Sequence, residues 1–159
     1  MKKEFETFWE IGKSYTFESS HTVACQTLPP FKCRDSIHGH SYQMTISITG
    51  SKLFNSFIMD YGVIDEIMKP EIDKLDHAFM IGQKDKNTDY TKFIEDTGFR
   101  AYELNVDYPT AELIAKHFAE FIFEKLKEKL DEEQFRSLIK IMVEVKETQK
   151  TYARYTINL

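Results

Sequence analysis

The chain holds only two cysteines in 159 residues, Cys25 and Cys33. They are too few for a disulfide framework and wrongly spaced for a CxxC metal knuckle, so both are expected as free thiols. It lacks an apolar run long enough to span a membrane, and the segment from Met1 to Glu6 has no apolar core of the secretory kind. A cytoplasmic protein with no membrane partner is expected. Excess positive charge is missing as well: the formal net charge is -5, with Lys and Arg mixed among Asp and Glu. Nothing offers a basic stripe to a phosphate backbone, so nucleic acid is not an expected partner. No repeat or low-complexity segment is found. What is present, 42% apolar and 30% charged residues, describes an ordinary globular chain. Its length suits one domain over residues 1–159 whose core needs no covalent staples.

Within that ordinary composition, His38-Gly39-His40 stands just ahead of an alternating run from Ser41 to Thr49. Residues two apart in a strand share a face, so both imidazoles can converge on one metal ion, with Gly39 leaving space between them. A third ligand is available in His21, which ends another strand-like stretch beginning at Lys13. Three neutral imidazoles would bind zinc and leave a fourth position open, as in a catalytic site. The plainer reading of His-x-His is an exposed or hydrogen-bonded pair. Cys33, five residues before His38 in a polar loop with Lys32, Arg34 and Asp35, favours the metal. As a base it would be tuned by neighbouring positive charge; as a structural residue it would be a small buried hydrophobe. Cys25, four residues beyond His21, is its rival and a possible ligand.

The hydrophobic pattern predicts strands at Phe8 to Ser20 and His40 to Thr49, joined by a loop with Pro29 and Pro30. A helix follows from Asp60, with Val63, Ile64, Ile67, Met68, Ile72 and Leu75 on one face, and Pro70 is expected to kink it or end its first part. Asp76-His77 lies at its exit, either as a helix-end decoration or as a carboxylate that orients and charges an imidazole. Residues 81–108 read as an irregular excursion with a short strand near Arg100 to Leu104. Thr110 then caps an amphipathic helix running to about Lys129, on which His117 reads as a core or interface residue. Two alternating runs, Ile139 to Glu147 and Thr151 to Ile157, close the chain as a hairpin. Glu147 and Glu112 have simple readings as a strand-edge charge and a helix N-terminal carboxylate. Either also suits the adjacent N–H groups of an aminopyrimidinone ring.

These blocks together resemble the family of 6-pyruvoyltetrahydropterin and 6-carboxytetrahydropterin synthases. The resemblance runs through Phe17 to His21, Cys33, His38 to Tyr42, Met59-Asp60, Leu75 to His77, Pro109 to Glu112, and Val145 to Thr148. It implies an α+β tunnelling fold: a four-stranded antiparallel sheet with two helices on one face, in the order strand-strand-helix-helix-strand-strand. Trimers would close into barrels and pair as hexamers, with active sites between subunits. It further implies zinc on His21, His38 and His40, Cys33 as proton acceptor, Asp76 and His77 as its relay, Glu147 as pterin contact and relay, and Thr110 and Glu112 at the pterin rim.

The substrate so implied is 7,8-dihydroneopterin triphosphate. The product is 6-carboxytetrahydropterin, with acetaldehyde and triphosphate released, if the side chain is cleaved on the way to 7-deazaguanine and queuosine. It is 6-pyruvoyltetrahydropterin if the side chain only rearranges. The long excursion with Gly98 to Leu104 favours the carboxy branch by analogy, and a cover over the site is one role for it. A non-catalytic zinc- or pterin-binding module is the reading from another class, and the loss of a relay residue that would mark it is not seen. Leu113 departs from the Asn that many members carry after the Pro-Thr-x-Glu block.

Overall fold

Alternation of polar and apolar residues produces two long strands, β1 (Trp9–His21) and β2 (His38–Gly50), paired antiparallel so that His21 opposes His38 and Ser19 opposes His40. Their inward row, Tyr15, Phe17, Tyr42, Met44, Ile46 and Ile48, is buried beneath two long helices. Truncating any one of these large side chains to Ala is expected to cost about 2–5 kcal/mol. The computed structural model describes residues 6–159, so most of the amino-terminal stretch weighed for a secretory signal lies outside the described residues.

The first helix, α1 (Tyr61–Leu75), is capped by Asp60, whose carboxylate accepts from the Gly62 N–H at 2.7 Å. It runs through Pro70 as one element rather than ending there. Pro70 is on the exposed side, where water can satisfy the carbonyl its ring leaves unpaired. The excursion is more regular than its sequence suggests. It holds β3 (Ala78–Ile81), α2 (Asp89–Thr97) and β4 (Ala101–Glu103). The second long helix, α3 (Ala111–Lys129), begins at the expected Thr110 cap, and a five-residue α4 (Glu132–Arg136) precedes the hairpin β5 (Leu138–Lys146) and β6 (Tyr152–Asn158).

The sheet therefore has six strands, in the order β4-β3-β1-β2-β5-β6, and not the four expected. The expected antiparallel quartet is intact as β1-β2-β5-β6, and the two extra strands add in parallel at the free edge of β1. The physical reason is that Phe79, Ile81 and Ile94 of the excursion bury their own small cluster, so the added edge carries its own apolar face. Likewise two short helices join the two long ones. The excursion widens the sheet, and none of residues 82–108 is among those lining the three cavities nearest the histidines in the single chain.

Candidate active site

The row of inward residues on β1 and β2 ends in His21, His38 and His40, one ring nitrogen from each lying within 4.8 Å of the others. The ring centroids are 4.5–5.2 Å apart and none of the pairs is stacked, so the imidazoles meet by their edges. Two of them are oriented by backbone carbonyls. His21 Nδ1–H donates to Pro109 O at 2.6 Å and His38 Nδ1–H to Ser36 O at 3.1 Å, which leaves Nε2 of each to face the centre. The His38 Nε2 so presented is buried without a hydrogen-bond partner. Such an orphan is expensive in a folded protein unless something binds it, and a metal ion meets that need. Burial drives the His21 pKa down to about 4, with His38 and His40 adding to the effect, and burial followed by His38 lowers that of His40. Neutral imidazole is the ligand form, so the donor set fits a cation. Cys25 is exposed and outside this group.

Gly39 plays a different part from the one its place between the histidines suggests. Its missing side chain points to the opposite face, where a Cβ would come within 3.1 Å of Ser19 O. The space it provides lets β1 and β2 close together behind the rings.

Cys33, Thr110, Glu112 and Glu147 are brought together around one cavity of about 380 Å³, with Val23, Gln26 and Tyr152 completing its wall. The loop carrying Cys33 is tied back by the Val23 N–H donating to Cys33 O at 2.7 Å. Glu147 follows the last β5 residue, so by continuation of the ladder it falls beside Tyr42. Burial raises its pKa, repulsion from Glu112 raises it further, and His38 opposes both. A carboxyl so placed keeps its proton more readily than an exposed one.

His77 is elsewhere, on a second cavity shared with His40, Glu18 and Ser41, with Asp76 bonded behind it. Asp76 caps α1 in extended conformation; its Oδ1 accepts from the Glu18 N–H at 2.7 Å and its Oδ2 from His77 Nδ1–H at 2.9 Å. The Glu18 N–H first, then His77, hold the Asp76 carboxyl below its usual range. His77 has φ +59° and its side chain is 72% exposed, so the pair presents an imidazole to solvent. The expected Asp-His couple is real, but within one chain it does not share a cavity with Cys33. His117, left out of the site by the sequence, accepts from the Asn105 N–H at 3.1 Å and packs on Phe118, as a core histidine does.

Two contributors escaped the sequence reading. The Pro109 carbonyl is a backbone group with no sequence signature beyond preceding the Thr110 cap. Tyr42 is 1% exposed, and its hydroxyl lies 3.3 Å from His21 Nε2. Its position two residues beyond His40 was the available signal, since that spacing puts it on the same face.

The fold and the site together define an α+β protein with a three-imidazole centre beside a cleft lined by a thiol and two carboxylates. Comparison with known proteins gives this class its family. The family model described as 6-pyruvoyl tetrahydropterin synthase matches residues 10–158. The 6-carboxy-5,6,7,8-tetrahydropterin synthase of Aquifex aeolicus is 30% identical over 134 residues, covering 76% of this chain and 82% of that protein. Its counterpart from Helicobacter pylori strain J99 is 30% identical over 145 residues, or 90% of this chain and 70% of that protein. Among solved structures, the 6-pyruvoyl tetrahydropterin synthase of Plasmodium falciparum superimposes with a TM-score of 0.73 at 18% identity, over 96% of this chain and 99% of that one. The chain belongs to the 6-pyruvoyl tetrahydropterin synthase family.

Proposed function

We propose that this chain is a zinc-dependent lyase, a 6-carboxy-5,6,7,8-tetrahydropterin synthase, acting on 7,8-dihydroneopterin triphosphate in 7-deazaguanine and queuosine biosynthesis. One water is consumed, triphosphate and acetaldehyde leave, and the ring gains the two hydrogens that the side chain gives up. The observation that carries this reading is the unpartnered His38 Nε2 among three converging imidazoles, beside a cavity lined by Cys33, Glu112 and Glu147. The match to relatives named for the carboxy product supports that branch over the pyruvoyl one.

His21, His38 and His40 would hold zinc, which supplies Lewis acidity toward the substrate's side-chain oxygens. Glu147, with Glu112 and Thr110 at the rim, suits the ring: a carboxylate facing two adjacent N–H groups accepts a pair of charge-assisted hydrogen bonds. Cys33 takes up a proton from the side chain. Asp76 holds the His77 ring by its Nδ1–H, which leaves the other nitrogen free to exchange a proton with solvent or with a group brought to it. In a homo-oligomer, trimer or hexamer, that group would be the neighbouring chain's thiol. Residues 1–159 act as one such unit, and two free thiols suit a reducing, cytoplasmic setting.

Mass spectrometry of products from zinc-loaded protein and 7,8-dihydroneopterin triphosphate tests the proposal. Expected are 6-carboxytetrahydropterin and acetaldehyde in equal amounts. Formation of 6-pyruvoyltetrahydropterin without acetaldehyde would establish the second reading, and an untouched substrate would remove both.

A further inference from the structure

The loop between β1 and β2 doubles back on itself before it reaches His38. The Val23 N–H donates to Cys33 O at 2.7 Å, and a turn closes where the Gln26 N–H donates to Val23 O at 2.9 Å. Gln26 is thereby held beside the segment that carries the thiol. It is half-buried and lines the same cavity of about 380 Å³ as Cys33, Thr110, Glu112 and Glu147. Its Oε1 accepts from the Arg34 N–H at 3.2 Å. This contact sets which way round the amide lies, because only its oxygen end can meet a backbone N–H. The end left for the cavity is Nε2, which carries two N–H donors and no acceptor.

The aminopyrimidinone edge of a pterin presents three groups in a row: the 2-amino N–H, the N3–H and the 4-carbonyl oxygen. A carboxylate accepts from the first two and repels the third, which needs a donor. Glu112 and Glu147 supply none as carboxylates, whereas the Gln26 amide on the same wall does. The 4-oxygen also lies toward the end of the ring that bears the side chain, and Gln26 sits against Cys33 and Arg34, the segment assigned to side-chain chemistry. We infer that Gln26 is a specificity-determining residue, its Nε2–H donating a hydrogen bond to the 4-oxygen of the pterin ring. The inference rests on the pterin reading of this site. It adds discrimination at one ring position, since a 4-amino group there would set donor against donor.

The test is Gln26→Glu, which keeps an oxygen for the Arg34 N–H and replaces the two donors by a second oxygen. Fluorescence titration of the zinc-loaded proteins with pterin measures binding apart from turnover. Affinity is expected to fall roughly tenfold or more, because one hydrogen bond is lost and an acceptor then faces an acceptor, while zinc content and melting temperature stay the same. Gln26→Met, uncharged and of the same length, is expected to lose about tenfold, and it decides the matter if the added carboxylate unsettles the loop. In difference infrared spectra the 4-carbonyl stretch of bound pterin is expected at higher wavenumber in either variant than in the parent. Parent-like affinity in Gln26→Glu would leave Gln26 only its tie to Arg34, and a weakened complex with an unmoved carbonyl band would assign the 4-oxygen to the backbone N–H groups that open α3; either overturns the inference. A parent protein that does not bind pterin would overturn the pterin reading itself, and this assignment with it.

Discussion

His77 adopts φ +59°, a left-handed conformation that costs a non-glycine residue roughly 1–2 kcal/mol. The chain holds it there with the His77 N–H donating to Glu18 O at 2.6 Å and the ring bound to Asp76. Strain kept at an exposed imidazole is a sign of use rather than of packing. His77→Gly is therefore expected to leave the melting temperature equal or higher while turnover falls at least tenfold. A proportionate loss of both would make His77 a structural hinge. At this scale much of the site was legible: the i, i+2 rule put His38 and His40 on one face, and the ladder then set His21 opposite His38. What could not be read was the Pro109 carbonyl that orients His21, because it comes from a distant part of the chain.

Gly82 shows how one element positions another. A Cβ there would come within 2.7 Å of Tyr108 Cα and collide with the Asp107 carbonyl, directly before the Pro109 carbonyl that orients His21. The excursion between them is thus closed at its base, with the Gln83 N–H bonded to Val106 O and the Lys84 N–H to Asp107 O. Gly82→Ala, far from any ligand, is expected to push Pro109 off His21 and weaken zinc affinity by about tenfold, in the range seen when outer-shell partners of a metal ligand are lost. Zinc competition with a chromogenic chelator measures this, and an unchanged affinity would detach the excursion from the site. The two long helices and four long strands were readable from their periods. α2 was not, although its signals were present: Thr88 as N-cap, Asp89 in the first turn and Gly98 in the left-handed C-terminal position. Nine residues with few apolar positions give too short a pattern to outweigh the polar composition around them.

For the whole molecule, the separation of Cys33 from His77 onto different cavities is the feature with the largest consequence. If catalysis joins them between copies, a mixture of inactive Cys33→Ala and inactive Asp76→Asn chains, unfolded and refolded together, will regain activity that neither has alone. A mixture no better than its components would place the relay within one chain. The sequence by itself determined which chemistry is present and which faces carry it, because side-chain type and strand period are local properties. Only the tertiary structure decided that an extra pair of parallel strands extends the sheet, that a proline carbonyl aims His21, and that the Tyr42 hydroxyl packs against the His21 ring. Each of these joins residues far apart in the chain, and no local pattern encodes which distant groups will meet once the core has closed.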